Sequence, residues 1–224
     1  MAISRIGSAS VQAQSIAIPG TYQAGDLIFI FAGRNNTTAA TVPSGWVQPG
    51  SSGASGVSVT AGWKIAQTSS ETSGTWTNAS VLFCKVYRAD TGILAFSTSA
   101  GGANATGTSV SYTTVTNGLV YRAGVLDNWY IGIGMQLNSA NSLETPPSGM
   151  SNVGVESSSG VWKAVLHDTN ASQLSNWATA ATTVTTAAAS STRVYQLFEF
   201  DGPAFGGGGG GLILPRAMNG GYAA

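Results

Sequence analysis

Charge is scarce in this chain. Of 224 residues only nine are Lys or Arg and nine are Asp or Glu, so the two sets cancel. Charged residues make up 8% of the sequence, about a third of the density usual in a soluble domain. There is one histidine, His167, and one cysteine, Cys84. Acid–base, nucleophilic and metal chemistry draws mainly on His, Cys, Asp, Glu and Lys, so the inventory for catalysis is thin. Zero net charge removes the long-range attraction that nucleic-acid and anionic-membrane binders use. It also removes the self-repulsion that keeps copies apart, which favours association. No apolar run approaches the roughly 20 residues of a membrane span, and Met1–Gly7 lacks the apolar core of a signal peptide. Cys84 sits within Val81-Leu82-Phe83-Cys84-Lys85-Val86-Tyr87, a setting for a buried small hydrophobe. A single cysteine fits folding in a reducing cytoplasm and does not fit a disulfide-stapled secreted domain.

What fills the chain instead is Ser, Thr and Gly, at 28, 24 and 30 residues, beside six tryptophans. With 43% hydrophobic residues and no net charge, the composition is not that of a disordered chain. Helix signals are almost absent; the stretch from Trp177 to Ala189 comes nearest, and its threonines argue for strand or loop. Strand-like runs recur at Asp26–Ala32, Val57–Trp63, Val81–Tyr87, Leu119–Tyr121, Trp129–Leu137, Val161–Leu166 and Arg193–Phe200, separated by Gly/Ser/Asn/Pro-rich turns. Many short strands with polar connections predict an all-β fold, a β-sandwich of jelly-roll or immunoglobulin-like type.

The first half also echoes in the second. Asp26 heads Leu27-Ile28-Phe29-Ile30 as Asp127 heads Asn128-Trp129-Tyr130-Ile131, and Pro43-Ser44-Gly45 returns as Pro147-Ser148-Gly149. Trp63-Lys64 returns as Trp162-Lys163, Trp76 as Trp177, and Val86-Tyr87 as Val194-Tyr195. The order predicts a first β unit over 1–105 and a second over 106–205, either stacked or folded together as one pseudo-symmetric sandwich, with Trp63 and Trp162 equivalent. A glycine-rich arm, 206–224, follows. Its six glycines give reach without a preferred shape. Leu212, Ile213, Leu214 and Pro215 then form an apolar plug suited to a partner.

The constellations that could carry chemistry are weak. His167-Asp168 is the only acidic neighbour of the histidine; adjacent strand residues face opposite ways, and the expectation is a surface or loop-edge histidine. No nucleophile elbow, metal set or phosphate loop is present, so no cofactor and no metal is expected. The carboxylates are scattered singly; a glycan-cleaving enzyme would need two of them about 5–9.5 Å apart. Trp63 and Trp162 read as core residues. Trp46, Trp76 and Trp177, among turn, hydroxyl and amide residues, have two readings: loop tryptophans folded over the end of the sandwich, or a platform for stacking on sugar.

Taken together, Ala24-Gly25-Asp26-Leu27-Ile28-Phe29-Ile30, Val42-Pro43-Ser44-Gly45-Trp46, Gly62-Trp63-Lys64, Gly74-Thr75-Trp76-Thr77 and Lys85-Val86-Tyr87-Arg88-Ala89 resemble a loosely defined family of phage and prophage virion proteins. The resemblance covers residues 20 to 95, and the glycine-rich arm is similar to those of many phage structural proteins. It implies a non-enzymatic, oligomeric building block, a tail or tail-tip protein, made in the host cytoplasm and located in the virion. Its partners would be copies of itself and other virion proteins, without nucleic-acid binding or membrane insertion. Two alternatives accompany this reading: a capsid decoration protein, and a carbohydrate- or receptor-binding module meeting a host surface glycan through the loop tryptophans. Ala89 departs from the Gly that family members often carry after Tyr-Arg.

Overall fold

The computed structural model describes residues 3–88, 95–98, 103–111, 126–137, 144–158, 161–169 and 183–203. The chain is an all-β sandwich, with no helix among these residues. One sheet is drawn from β1 (Ser4–Val11), β2 (Leu27–Arg34), β3 (Val47–Ala54), β4 (Val57–Ile65) and β5 (Val81–Arg88), in the order β1-β5-β2-β4-β3. The other is drawn from β6 (Ala95–Thr98), β7 (Ala103–Ser111), β8 (Leu126–Leu137), β9 (Glu144–Thr145), β10 (Ser151–Ser158), β11 (Trp162–Asp168) and β12 (Thr183–Pro203). Its order is β10-β11-β8-β12-β6, with β7 and β9 also paired to the long β12. All pairings are antiparallel. The boundary expected at 105/106 falls inside β7, and β6 already belongs to the second sheet.

The central strand of the first sheet, Leu27-Ile28-Phe29-Ile30-Phe31-Ala32, is apolar at every position because both of its faces are covered. Leu27, Phe29 and Phe31 point between the sheets, where they meet Val57, Val59, Val81 and Phe83 of their own sheet and Trp129, Ile131, Met135, Leu166 and Phe198 of the other. Phe198 packs on both Phe29 and Phe31, with ring centroids 5.5 and 5.6 Å apart. Ile28, Ile30 and Ala32 face outward with Leu82, Cys84 and Val86. A cover built from the connections around residues 12–26, 35–46 and 66–80 shields this face with Ile16, Ala40, Ala66, Trp76 and Ala79. Cys84 is buried as expected, and burial pushes its thiol well above the usual range.

Five of the seven strands of the second sheet repeat the order of the first, with β6, β8, β10, β11 and β12 in the places of β1, β2, β3, β4 and β5 and with β7 and β9 added. Val47↔Trp63 opens the β3–β4 ladder and Ser151↔Asp168 opens β10–β11. Each ladder then bulges before Gly50↔Ala61 and Gly154↔Leu166, and each closes at a tight connection, Ala54↔Val57 and Ser158↔Trp162. Pro43-Ser44-Gly45 and Pro147-Ser148-Gly149 lead into these strands with the same turn. Both glycines sit at φ 84°, and Trp46 N–H and Met150 N–H donate to the Pro43 and Pro147 carbonyls. The register corrects three of the sequence echoes, the first being that Asp26 corresponds to Asn128 and not to Asp127. Val57, Val59, Ala61 and Trp63 correspond to Trp162, Ala164, Leu166 and Asp168, so Trp63 and Trp162 are not equivalent. Likewise Leu27↔Tyr87 corresponds to Trp129↔Phe200, not to a pair made by Tyr195. Matching letters misled because what repeats is the inward–outward alternation and the bulge, both indifferent to residue identity.

Candidate functional site

Among the described residues the polar side chains on which function could rest lie in the cover over the first sheet, in the seam between the sheets, at the sandwich edges, and on the outer face of the second sheet, where Arg193 Nε donates to Gln136 Oε1 at 2.9 Å. In and around the cover lie Asp26, Trp46, Gly62, Lys64, Trp76 and Arg88. Asp26, 2% exposed, accepts from Arg88 Nε at 2.8 Å and Nη2 at 2.6 Å, and from Gln23 N–H at 2.7 Å. This bidentate pair fastens the start of β2 to the end of β5, and it holds the Arg88 guanidinium above its ordinary pKa. Trp76 is fully buried over Gly62, where a Cβ would come within 2.8 Å of its ring. Its indole N–H donates to the Ser73 carbonyl at 3.2 Å. Trp46 is half-buried and meets Trp76 edge-on, at 5.7 Å and 67°. Lys64 Nζ lies 4.9 Å from the Trp46 ring centroid and 2.7 Å from Glu71 Oε2. That ammonium, together with the N–H groups of Gln67 and Thr68, draws the Glu71 carboxyl below its usual range.

The expectation of a sugar platform fails at Trp76, which is enclosed, and the crossed rings of Trp46 and Trp76 offer no shared plane. A tryptophan earns more by filling the space above a glycine than by standing in water. Trp177 lies outside the described residues, as do Leu212, Ile213, Leu214 and Pro215.

The seam is the part sequence reasoning missed. Asp168, at the end of β11, is completely buried between the sheets. Its Oδ1 accepts from the Trp129 indole N–H at 2.6 Å, and its Oδ2 from the Tyr87 hydroxyl at 2.8 Å and Arg5 Nη1 at 3.2 Å. Burial and the adjacent carboxylate raise the Tyr87 phenol well above its normal pKa. Nearby, the buried Lys85 donates to the Ser8 hydroxyl and, at 2.5 Å, to the Val153 carbonyl. Burial, aided by the Arg5 charge, brings the Lys85 ammonium down to about 8. The available signal was a charged residue closing the apolar run Ala164-Val165-Leu166.

His167 occupies the opposite face of β11 and is also fully buried, which corrects the surface or loop-edge position expected for it. Burial first, and the Lys163 charge second, push its pKa down to about 3. The imidazole is therefore neutral at physiological pH. It does not share a face with Asp168, so the two do not form a catalytic dyad. Among the described residues no group of three His, Cys, Asp or Glu is arranged to hold a metal ion. The described carboxylates of Asp26, Glu71, Glu156 and Asp168 each have their own donors.

At the edges the pattern differs. Ser10 Oγ–H donates to Glu156 Oε1 at 2.5 Å, and Gln12 Nε2–H to Glu156 Oε2 at 3.1 Å, tying β1 to β10 across the sandwich. The large apolar side chains most open to solvent lie on or beside the edge strands β3 and β10: Val47, Val155 and Val161. No family model, curated protein or solved structure matches the chain.

Proposed function

We propose that this chain is a non-enzymatic structural component of a bacteriophage virion, a tail or tail-tip protein that assembles through its sandwich and its C-terminal arm. The observation that carries the reading is the cover over the first sheet. While Leu27, Phe29, Trp63, Lys85 and Tyr87 face the space between the sheets, part of the resemblance comes together in the cover: Asp26–Arg88, the Pro43–Trp46 turn, Trp76 over Gly62, and Lys64. Their shared purpose is to bury the outer face of a sheet, which is the work of a building block. The polar groups of the seam are likewise used to join strands, and the exposed valines stand at edges where another chain could add.

The arm supplies the contact between copies. Burying Leu212, Ile213 and Leu214 yields some 5–9 kcal/mol at about 1.5–3 kcal/mol each. Ordering about a dozen arm residues costs more than ~10 kcal/mol, so apolar burial alone falls short. Backbone pairing must make up the difference, with the arm added as a strand along a neighbour's sheet edge and Pro215 ending the pairing. Deleting residues 206–224 is expected to leave a folded, soluble sandwich that no longer enters particles or oligomers, as read by light scattering and by mass spectrometry of purified particles. Normal incorporation of the truncated chain would overturn the reading.

A further inference from the structure

The edges of the two sheets are not alike. Three edge strands carry the devices that keep a strand from taking a new neighbour. Each has a bulge, and the surplus residue lies in the edge strand itself. In β1 two steps, Arg5 to Gly7, face one, Tyr87 to Val86. In β3 three steps, Val47 to Gly50, face two, Trp63 to Ala61. In β10 two steps, Asn152 to Gly154, face one, His167 to Leu166. β1 also carries the charge of Arg5, and β3 carries Pro49 and has the Thr37 carbonyl against Gly53. On β10 the Val153 and Ser157 carbonyls already accept from Lys85 and Gln12, and Glu156 adds a charge.

β7 has none of these. Its ladder with β12 is irregular twice, but the surplus lies in β12: Thr185 to Ser190 faces Ser109 to Gly107, and Ser190 to Arg193 faces Gly107 to Ala105. β7 itself runs unbroken for nine residues. Neither a charged residue nor a proline occurs between Asp90 and Arg122. Thr108 and Ser109 are exposed, and among the described residues β12 is the one strand beside β7. An edge this long and unguarded is a template for another strand.

The chain contains a strand to match. Gly206 to Leu214 is uncharged, so pairing it with β7 strips water from no ion, and it stops at Pro215, which cannot donate. Reach decides whose arm it is. From Pro203 back to Tyr195 is eight residues of β12, and from its partner Ala103 on to Gly107 is four of β7. At about 3.3 Å per residue, Pro203 and Gly107 lie ~40 Å apart. The stretch from Ala204 to Leu212 reaches only about 30 Å when fully extended. A copy's own Leu212 therefore cannot lie beside Gly107–Ser111, whereas another copy's can.

We propose, resting on the arm as the contact between copies, that Leu212–Leu214 of one copy pairs with β7 of the next. Such donation is heterologous, so it closes into a ring or runs on as a filament. Ser109→Lys puts a charge on this edge. In the full-length chain it should remove the oligomers seen by light scattering as completely as deletion of 206–224 does, while Ser51→Lys on β3 should leave them intact. Oligomers lost on deletion but kept in Ser109→Lys would overturn β7 as the acceptor and leave the arm's role standing. Oligomers that survive the deletion would overturn the arm's role and the β7 contact with it. The contact itself is read by mixing two full-length variants, Leu212→Cys and Ser109→Cys, since Cys84 is buried and out of reach. Oxidation should join unlike copies, and the product should be lost when Ser51→Cys or Ser157→Cys replaces Ser109→Cys in the mixture. Equal yields at all three edges would show that the arm has no preferred acceptor and overturn the proposal.

Discussion

The carboxylate of Asp168 accepts from one residue in each of three strands, β1, β5 and β8, with no solvent at hand to replace a lost donor. Removing it with Asp168→Ala leaves a buried phenol, an indole and a guanidinium without their acceptor. The expected loss is about 3 kcal/mol, the lower end of the range for a broken buried pair because Arg5 keeps some access to water. A shift of the urea midpoint at unchanged slope would register it, and a loss under 1 kcal/mol would contradict the role assigned to the seam. His167 makes a pH-dependent prediction. Its imidazole stays neutral in the folded protein down to about pH 3, whereas the unfolded chain takes up the proton near pH 6.5. Between those values the unfolded state binds more protons, so stability present above pH 6.5 drains away as the pH falls toward 3. His167→Gln should flatten that fall relative to the parent, measured as urea midpoint against pH. Identical slopes in parent and variant would refute it. Neither residue's place was legible in sequence. His167-Asp168 was visible as a pair, but whether a polar residue in a strand is buried depends on what packs over it, which a local window does not contain.

The strands that sequence patterning found are the interior ones: β2, β4, β5, β8, β11 and β12. Those it missed, β1, β3, β6, β7, β9 and β10, lie at or along the sheet edges, and the run expected at Leu119–Tyr121 lies outside the described residues. An interior strand is pressed on its faces and reads as an apolar run, whereas an edge strand buries less. Ser4-Arg5-Ile6-Gly7-Ser8-Ala9-Ser10-Val11 and Ser151-Asn152-Val153-Gly154-Val155-Glu156-Ser157-Ser158 therefore look like loop. Pro49 in β3 hid that strand further, yet it stands where a proline is tolerated, on an edge and at a bulge. The repeated turn was legible because its geometry dictates its residue: Gly45 and Gly149 both sit at φ 84°, where a Cβ costs about 1–2 kcal/mol. Gly45→Ala and Gly149→Ala should each lose that amount and agree within about 0.5 kcal/mol. A large disagreement in thermal or urea unfolding would mean that the two turns do unequal work. Gly134→Ala tests another constraint, since the Tyr195 ring lies directly over Gly134 and leaves no room for a Cβ. Overpacking there should cost about 1–3 kcal/mol, and a neutral result would show that the ring moves aside freely.

At the scale of the molecule, circular dichroism should be dominated by β signal with helix below about 15% of residues, and a spectrum with strong helical minima would contradict the fold. That much was legible from composition and turn spacing alone. The repeat of the first sheet within the second was only hinted at by the echoes, because it resides in strand order and register. The division of the sheets also bears on synthesis. The first sheet is complete by residue 88, while the strands that cover its inner face span 95–203. At roughly 5–20 residues per second the ribosome needs about 5–20 s to supply them. Through that interval Leu27, Phe29, Phe31, Val59 and Phe83 have nothing to pack against from the second half. The nascent chain is then at its stickiest, and ribosome-bound chaperones have their opportunity to engage it.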